Sequence, residues 1–158
     1  MAMSTGSLLL LDTNVLLAAT NSARDQHAYA RELFGVCRDA GVHTAVCGQI
    51  LREYLAVCTR PATSNGFGMD TSQALQNMRW FRAQCVFLEE TFDVFQTFIK
   101  IVVKYGTHGT RMHDANIAAV CLTYAIDRLV TLNAADFSYH PGITLGSPAE
   151  ILQELDAI

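Results

Sequence analysis

Four consecutive leucines, Leu8–Leu11, run directly into Asp12. A run this short and uniformly apolar has no face left for water, so it reads as a strand covered on both sides, as in the centre of a parallel sheet. Asp12 ends that strand and is a candidate cap for a helix, with Thr13 and Asn14 in a turn. Further along, Arg24–Asp39 places Ala28, Leu33, Phe34, Val36 and Cys37 at roughly helical spacing, and Gly41 follows as a stop. His43–Cys47 reads as a second strand, and Gln49–Thr59 as a helix closed by Arg60-Pro61.

Residues Ala62–Met69 form a Gly-, Ser-, Thr- and Asn-rich loop. Asp70 or Thr71 then starts a helix to about Gln84, with Gln73 completing a capping box. Val86–Leu88 is a third strand. Thr91–Tyr105 is a helix whose apolar side carries Phe92, Phe95, Phe98, Ile99 and Val102, and Gly106 ends it. Arg111–Ile126 is another helix, Arg128–Leu132 a fourth strand, and Ile143–Leu145 a candidate fifth. Ser147-Pro148-Ala149-Glu150 has a helix start's cap, proline and acid in order. Strands alternating with helices imply an α/β fold with helices on both faces of a parallel sheet. Ligands of such folds bind beyond the carboxyl ends of the strands, where Asp12 and Asp136 fall.

The chain has 158 residues, 51% hydrophobic and 16% charged, which suits one folded domain over 1–158 and excludes global disorder. No apolar run approaches the ~20 residues of a membrane helix. Met1–Ser7 lacks positive charge, and the run after it is too short for a signal-peptide core, so a soluble, cytoplasmic protein is expected. The five cysteines form no C-x-x-C pair and lie mostly in apolar surroundings, as free buried thiols do. A net charge of −4 weighs against a passive nucleic-acid binder, which is usually basic. It is compatible with an enzyme whose acids are neutralised locally by metal.

Four carboxylates stand out. Asp12 lies at the edge of the core, where an unpaired charge is costly. Glu53 sits early in a mostly apolar helix, able to point over the sheet edge or to pair with Arg52 or Arg60. Asp114 is near a helix N-terminus, where the dipole favours it. Asp136 follows the fourth strand, with Thr131 and Asn133 nearby. Each has an ordinary reading as a cap or surface charge. Together, four acids from four βα units could meet at one end of the sheet, where Mg²⁺ or Mn²⁺ would relieve their repulsion. Absence of a Cys/His ligand pattern argues against structural zinc. Metal held by carboxylates suits phosphodiester hydrolysis.

Leu-Leu-Leu-Leu-Asp12-Thr-Asn-Val-Leu-Leu, the Glu53 helix ending in Thr59-Arg60-Pro61, His113-Asp114-Ala-Asn-Ile-Ala-Ala and Thr131-Leu-Asn-Ala-Ala-Asp136-Phe137 occur in order across nearly the whole chain. This set resembles the PIN-domain family, in particular its VapC-like toxin ribonucleases. The resemblance implies a three-layer α/β/α sandwich around a central parallel sheet of four to five strands. It implies a Mg²⁺ or Mn²⁺ site of Asp12, Glu53 and Asp114, with the more variable Asp136 acting through water. Thr13 and Thr131 would orient carboxylates, and Asn116 would lie close by. It further implies an endoribonuclease acting on RNA, a protein antitoxin covering the acidic groove, and a homodimer.

Arg111 is a candidate phosphate ligand. His108 and His113 could touch phosphate or metal, and otherwise read as loop and helix-start polar groups. Arg79 and Arg82 beside Trp80 could form a cationic, stacking path for single-stranded RNA. Met78, Trp80 and Phe81 offer apolar surface to a partner, though such a stripe reads first as core. Glu89, Glu90, Asp93, Asp127 and Asp156 read as surface or capping charges. A phosphatase-like hydrolase with Asp12 as nucleophile typically wants a second Asp two residues on, and position 14 is Asn. A housekeeping RNA-processing nuclease and a non-catalytic PIN-like binding module are the remaining alternatives; a scaffold has no need to gather four acids.

Overall fold

The computed structural model describes residues 3–156. In chain order it contains β1 (Leu8–Leu11), α1 (Thr13–Thr20), α2 (His27–Asp39), β2 (His43–Cys47), α3 (Gly48–Thr59), α4 (Thr71–Gln84) and β3 (Val86–Leu88). There follow α5 (Phe92–Tyr105), α6 (Arg111–Thr123), β4 (Arg128–Val130), β5 (Leu145–Gly146) and α7 (Pro148–Asp156), with 3₁₀ turns at Ala62–Ser64 and Ala134–Phe137. The five strands form one parallel sheet in the order β3-β2-β1-β4-β5. Order reverses beside β1, so the carboxyl edge between β1 and its neighbours is the crevice where such folds bind ligands.

The leucine run takes the central place that its composition predicts. Leu9, Leu10 and Leu11 are fully buried between β2 and β4. Helices α5 and α6 pack on each other, while α1 packs on α2 and α3, α2 on α7, and α3 on α4; the sheet lies between helices, giving the three-layer α/β/α arrangement. All five cysteines are free and buried. No helix among the described residues is long and apolar enough to cross a membrane.

The structure differs from the sequence reading at several boundaries. Residues 13–20 form a full helix, capped by the Asp12 carboxylate on the Thr13 amide. The second helix starts at His27 rather than Arg24, because Asn21 organises a turn through Ala23 and Arg24. α6 stops at Thr123, not Ile126: Ala125 takes φ +50 and the Ile126 amide reaches back to the Cys121 carbonyl. β4 ends at Val130 because the Leu132 amide turns to the Asn14 side chain. β5 lies at Leu145–Gly146 rather than Ile143–Leu145, since Ile143 is held in a turn by the His140 carbonyl.

The apolar side of α5 is the larger surprise. Val94 and Ile101 face the core, whereas Phe92, Phe95, Ile99 and Val103 are exposed, Phe92 by 70% and Val103 by 77%. The Met78–Phe81 stripe divides: Phe81 is core, Met78 is half-buried, and Trp80 remains 41% exposed, edge-on to Phe34 and under Arg31.

Candidate active site

Asp12 leaves β1 at the carboxyl edge of the sheet, and its backbone amide still pairs with Val130 of β4. Its carboxylate accepts hydrogen bonds from the Thr13 amide (2.7 Å), the Asn14 side-chain amide (2.8 Å) and the Thr131 hydroxyl (2.7 Å). These favour the ionised form, yet burial outweighs them and, with Glu53 nearby, pushes the Asp12 pKa above its ordinary value. Three of about four acceptor positions are used, so the group is fixed while keeping one oxygen lone pair available.

Glu53 reaches the same edge from α3. The Thr13 hydroxyl donates to Oε2 (3.1 Å) and the Gln49 amide to Oε1 (2.7 Å). His113 Nδ1 stands 3.6 Å from Oε1. Neither arginine considered as a partner pairs with Glu53: Arg52 faces Glu90 at 3.5 Å, and Arg60 lines the cleft. Asp114, from the first turn of α6, feels burial first and then the charges of Asp136, Asp12 and Glu53; its pKa rises to about 6. Asp136, in the 3₁₀ turn after β4, accepts a hydrogen bond from the Asn133 side chain. Glu53, Asp114 and Asp136 line one cleft with Thr13, Arg60, Arg111 and His113.

The four carboxylates therefore share one end of the sheet, and the charges of the other three bear on Asp114. Among the described residues, no three Asp, Glu, His or Cys side chains are gathered tightly enough to enclose a cation unaided. The donors at this edge are carboxylate oxygens, the ligand type of a hard divalent ion such as Mg²⁺, which retains several waters and takes one or two carboxylates directly.

Several supporting residues lie beyond what spacing reveals. Gln49 is buried; its amide also donates to the His113 carbonyl (3.0 Å) and its carbonyl accepts from Asn116 (2.7 Å). Asn116 therefore reaches Glu53 through Gln49, and also faces Glu90 at 3.4 Å. Glu90 accepts from the Gln49 backbone amide (2.6 Å), sealing the N-terminus of α3. Asn14 donates to Asp12 and to Thr131 and accepts from the Leu132 amide, tying β1 to β4 beneath the site. The Arg111 guanidinium lies 4.4 Å over the Tyr139 ring. His108 hydrogen-bonds the Gly106 carbonyl. Arg82 covers Phe87 rather than Trp80.

The PIN-domain family model matches residues 9–135. Among solved structures, VapBC from Salmonella typhimurium bound to DNA aligns with TM-score 0.68 at 17% identity, over 90% of this chain and 98% of that one. VapBC2 from Rickettsia felis, bound to a fragment of its promoter, gives 0.66 at 17%, over 89% and 98%. VapC20 of Mycobacterium tuberculosis, described as a toxin cleaving the sarcin-ricin loop, gives 0.59 at 16%, over 83% and 92%. No curated protein sequence matches significantly. The family model spans β1 through the turn after β4, the stretch that supplies three of the four acids and reaches the residue before Asp136, and the chain belongs to the PIN-domain family.

Proposed function

We propose that this chain is a Mg²⁺- or Mn²⁺-dependent endoribonuclease, the cytoplasmic toxin of a type II toxin–antitoxin pair. The observation that carries the reading is the meeting of Glu53, Asp114 and Asp136 in one cleft, beside Asp12 at the same edge of the sheet, where burial and the charges of Asp136, Asp12 and Glu53 raise Asp114 to about 6. Asp12, Glu53 and Asp114 would hold the ion, and Asp136 would act through water. A divalent ion there supplies charge neutralisation and Lewis-acid polarisation of the phosphodiester. Thr13 and Thr131 keep Glu53 and Asp12 aimed at the cleft. Arg60, Arg111 and His113 on its walls offer cationic and N–H contacts to the RNA phosphates despite the net charge of −4.

The structural likeness to VapC toxins in VapBC complexes supports an antitoxin partner. For it we propose a segment that covers the acidic cleft, with the groove of about 450 Å³ between α1, α2 and α4, where Trp80 and Arg31 are presented, as a further contact surface. A homodimer through the exposed side of α5 completes the proposal.

Incubating the protein with a mixed RNA pool and Mn²⁺ tests the central reading. Cleavage is expected, abolished by EDTA and reduced at least a hundredfold in Asp12→Asn, a variant that keeps its fold by circular dichroism. Cleavage at the parent's rate by well-folded Asp12→Asn, or in EDTA, rejects the site. RNA binding without any cleavage would favour the non-catalytic module.

A further inference from the structure

Beside the acidic cleft lies a second, more enclosed one of about 120 Å³. It shares Asp114, Asp136 and Arg111 with the first and is otherwise walled by Tyr105, His108, Tyr139 and His140. We propose that this cleft receives one base of a single-stranded RNA next to the scissile phosphate, with Tyr139 and Arg111 as its stacking wall and His140 as the group that reads the base. The inference rests on the ribonuclease reading and adds to it a subsite and a source of sequence preference.

Asp114 and Asp136 stand on the rim of this cleft, and Arg111, the one arginine in its lining, is placed over Tyr139, so the cleft suits an uncharged flat ring better than a bare phosphate. The wall is prepared for such a ring. The Arg111 guanidinium carbon lies 4.4 Å from the centre of the Tyr139 ring, which is itself 41% exposed. A guanidinium fixed on an aromatic presents an extended planar surface, and bases stack on either group.

His140 makes the case more specific. It is only 7% exposed and sits edge-on to Tyr105, with ring centroids 5.4 Å apart. Among the described residues its ring nitrogens make no hydrogen bond, although its backbone is fully used in the turn. Gln26 Oε1 is the only fully enclosed side-chain N or O atom without a partner among the described residues, so the His140 ring nitrogens remain reachable from the cleft that this residue lines and are free to meet a ligand. Burial also lowers the imidazole pKa, so the ring is neutral near pH 7. A neutral imidazole offers one donor and one acceptor, the combination that base edges complement.

The experiment titrates the full-length protein in EDTA, where nothing is cut, with the four RNA homotrimers. It follows histidine and tyrosine ring signals by NMR, assigning His140 by its loss in His140→Phe. One trimer is expected to shift His140 and Tyr139 at lower concentration than the other three. His140→Phe, which keeps a ring against Tyr105, should erase that ranking. Tyr139→Ala should weaken every trimer on the order of tenfold. If no trimer moves His140, or if His140→Phe preserves the ranking, the subsite is wrong, even when the protein cuts RNA with Mn²⁺. If His140 responds but no RNA is cut, the subsite stands and the nuclease reading falls.

Discussion

Asp114 is the residue through which the electrostatics of the rim can be measured. Its pKa moves from 3.8 to about 6 on folding, through burial and three neighbouring carboxylates. The native state thus binds this proton more tightly than the unfolded chain. The associated stability is fully present below the unfolded value and is lost as pH rises to about 6. Asp114→Asn removes the charge and keeps the volume. In EDTA the variant should melt with the parent near pH 4 and above it from about pH 6 upward, by about 2–4 °C for each kcal/mol relieved in a chain of this size. Equal melting temperatures at pH 7 would mean that the carboxylate is not strained. Gln49 makes a different point. Gln49 bridges Glu53 and Asn116, so Gln49→Leu should weaken Mn²⁺ binding on the order of 10–100-fold by isothermal titration while the protein still melts cooperatively; unchanged affinity would reduce Gln49 to packing. Asp12 and Asp136 stood out because they follow apolar strands and Asp114 because it opens a helix, and the structure brings them to one end of the sheet, whereas Glu53 lies in mid-helix with only its place after β2 to mark it. Gln49 and Asn14 did not stand out, because a polar side chain that braces a carboxylate from inside looks, in sequence, like any polar residue in an apolar context.

At the scale of elements, legibility followed the strength of local signals. β1, β2 and β3 appear where their apolar runs lie, and α7 follows its Ser-Pro-Ala-Glu start. α1 was visible only as a cap option, since Thr13–Thr20 is apolar on most sides and has no amphipathic period to betray a helix. The end of α6 was misplaced for a related reason. The chain closes there with an αL residue and the Ile126 amide bonded to the Cys121 carbonyl, the geometry that glycine normally marks. Here Ala125 occupies it at φ +50. An L-residue with a Cβ pays about 1–2 kcal/mol in αL, part of which glycine returns as unfolded-state entropy. Ala125→Gly should therefore raise stability by about 0.5–1 kcal/mol, read as a rise of a few degrees in a thermal melt, with RNA cleavage unaltered. A lower melting temperature would show that the closing turn is not strained.

Over the whole molecule, the exposed side of α5 is the feature that a single folded chain does not account for. Phe92, Phe95, Ile99 and Val103 recur three or four residues apart, the period of one helix face, and Phe92 stacks on Phe95. Isolated exposed apolar residues are normal, but a contiguous stripe marks an interaction surface. The sequence pattern places Phe92, Phe95 and Ile99, with Phe98 and Val102, on an apolar side without saying what covers it, because a period of 3.6 distinguishes faces and not neighbours. The core contact of α5 is instead made by Val94 and Ile101, and by packing on α6. A second copy laid on the stripe would cover an apolar face with its equal, which an isologous twofold contact requires. A stable contact of that kind needs about 1,000 Å² or more of buried surface, so the loss of one central phenylalanine to a charge should be decisive. Light scattering on a sizing column should give twice the chain mass of 17.3 kDa for the parent, and the chain mass for Phe95→Glu, with the helical signal unchanged. A parent that elutes as a monomer at micromolar concentration removes the homodimer, and the stripe then belongs to a different partner.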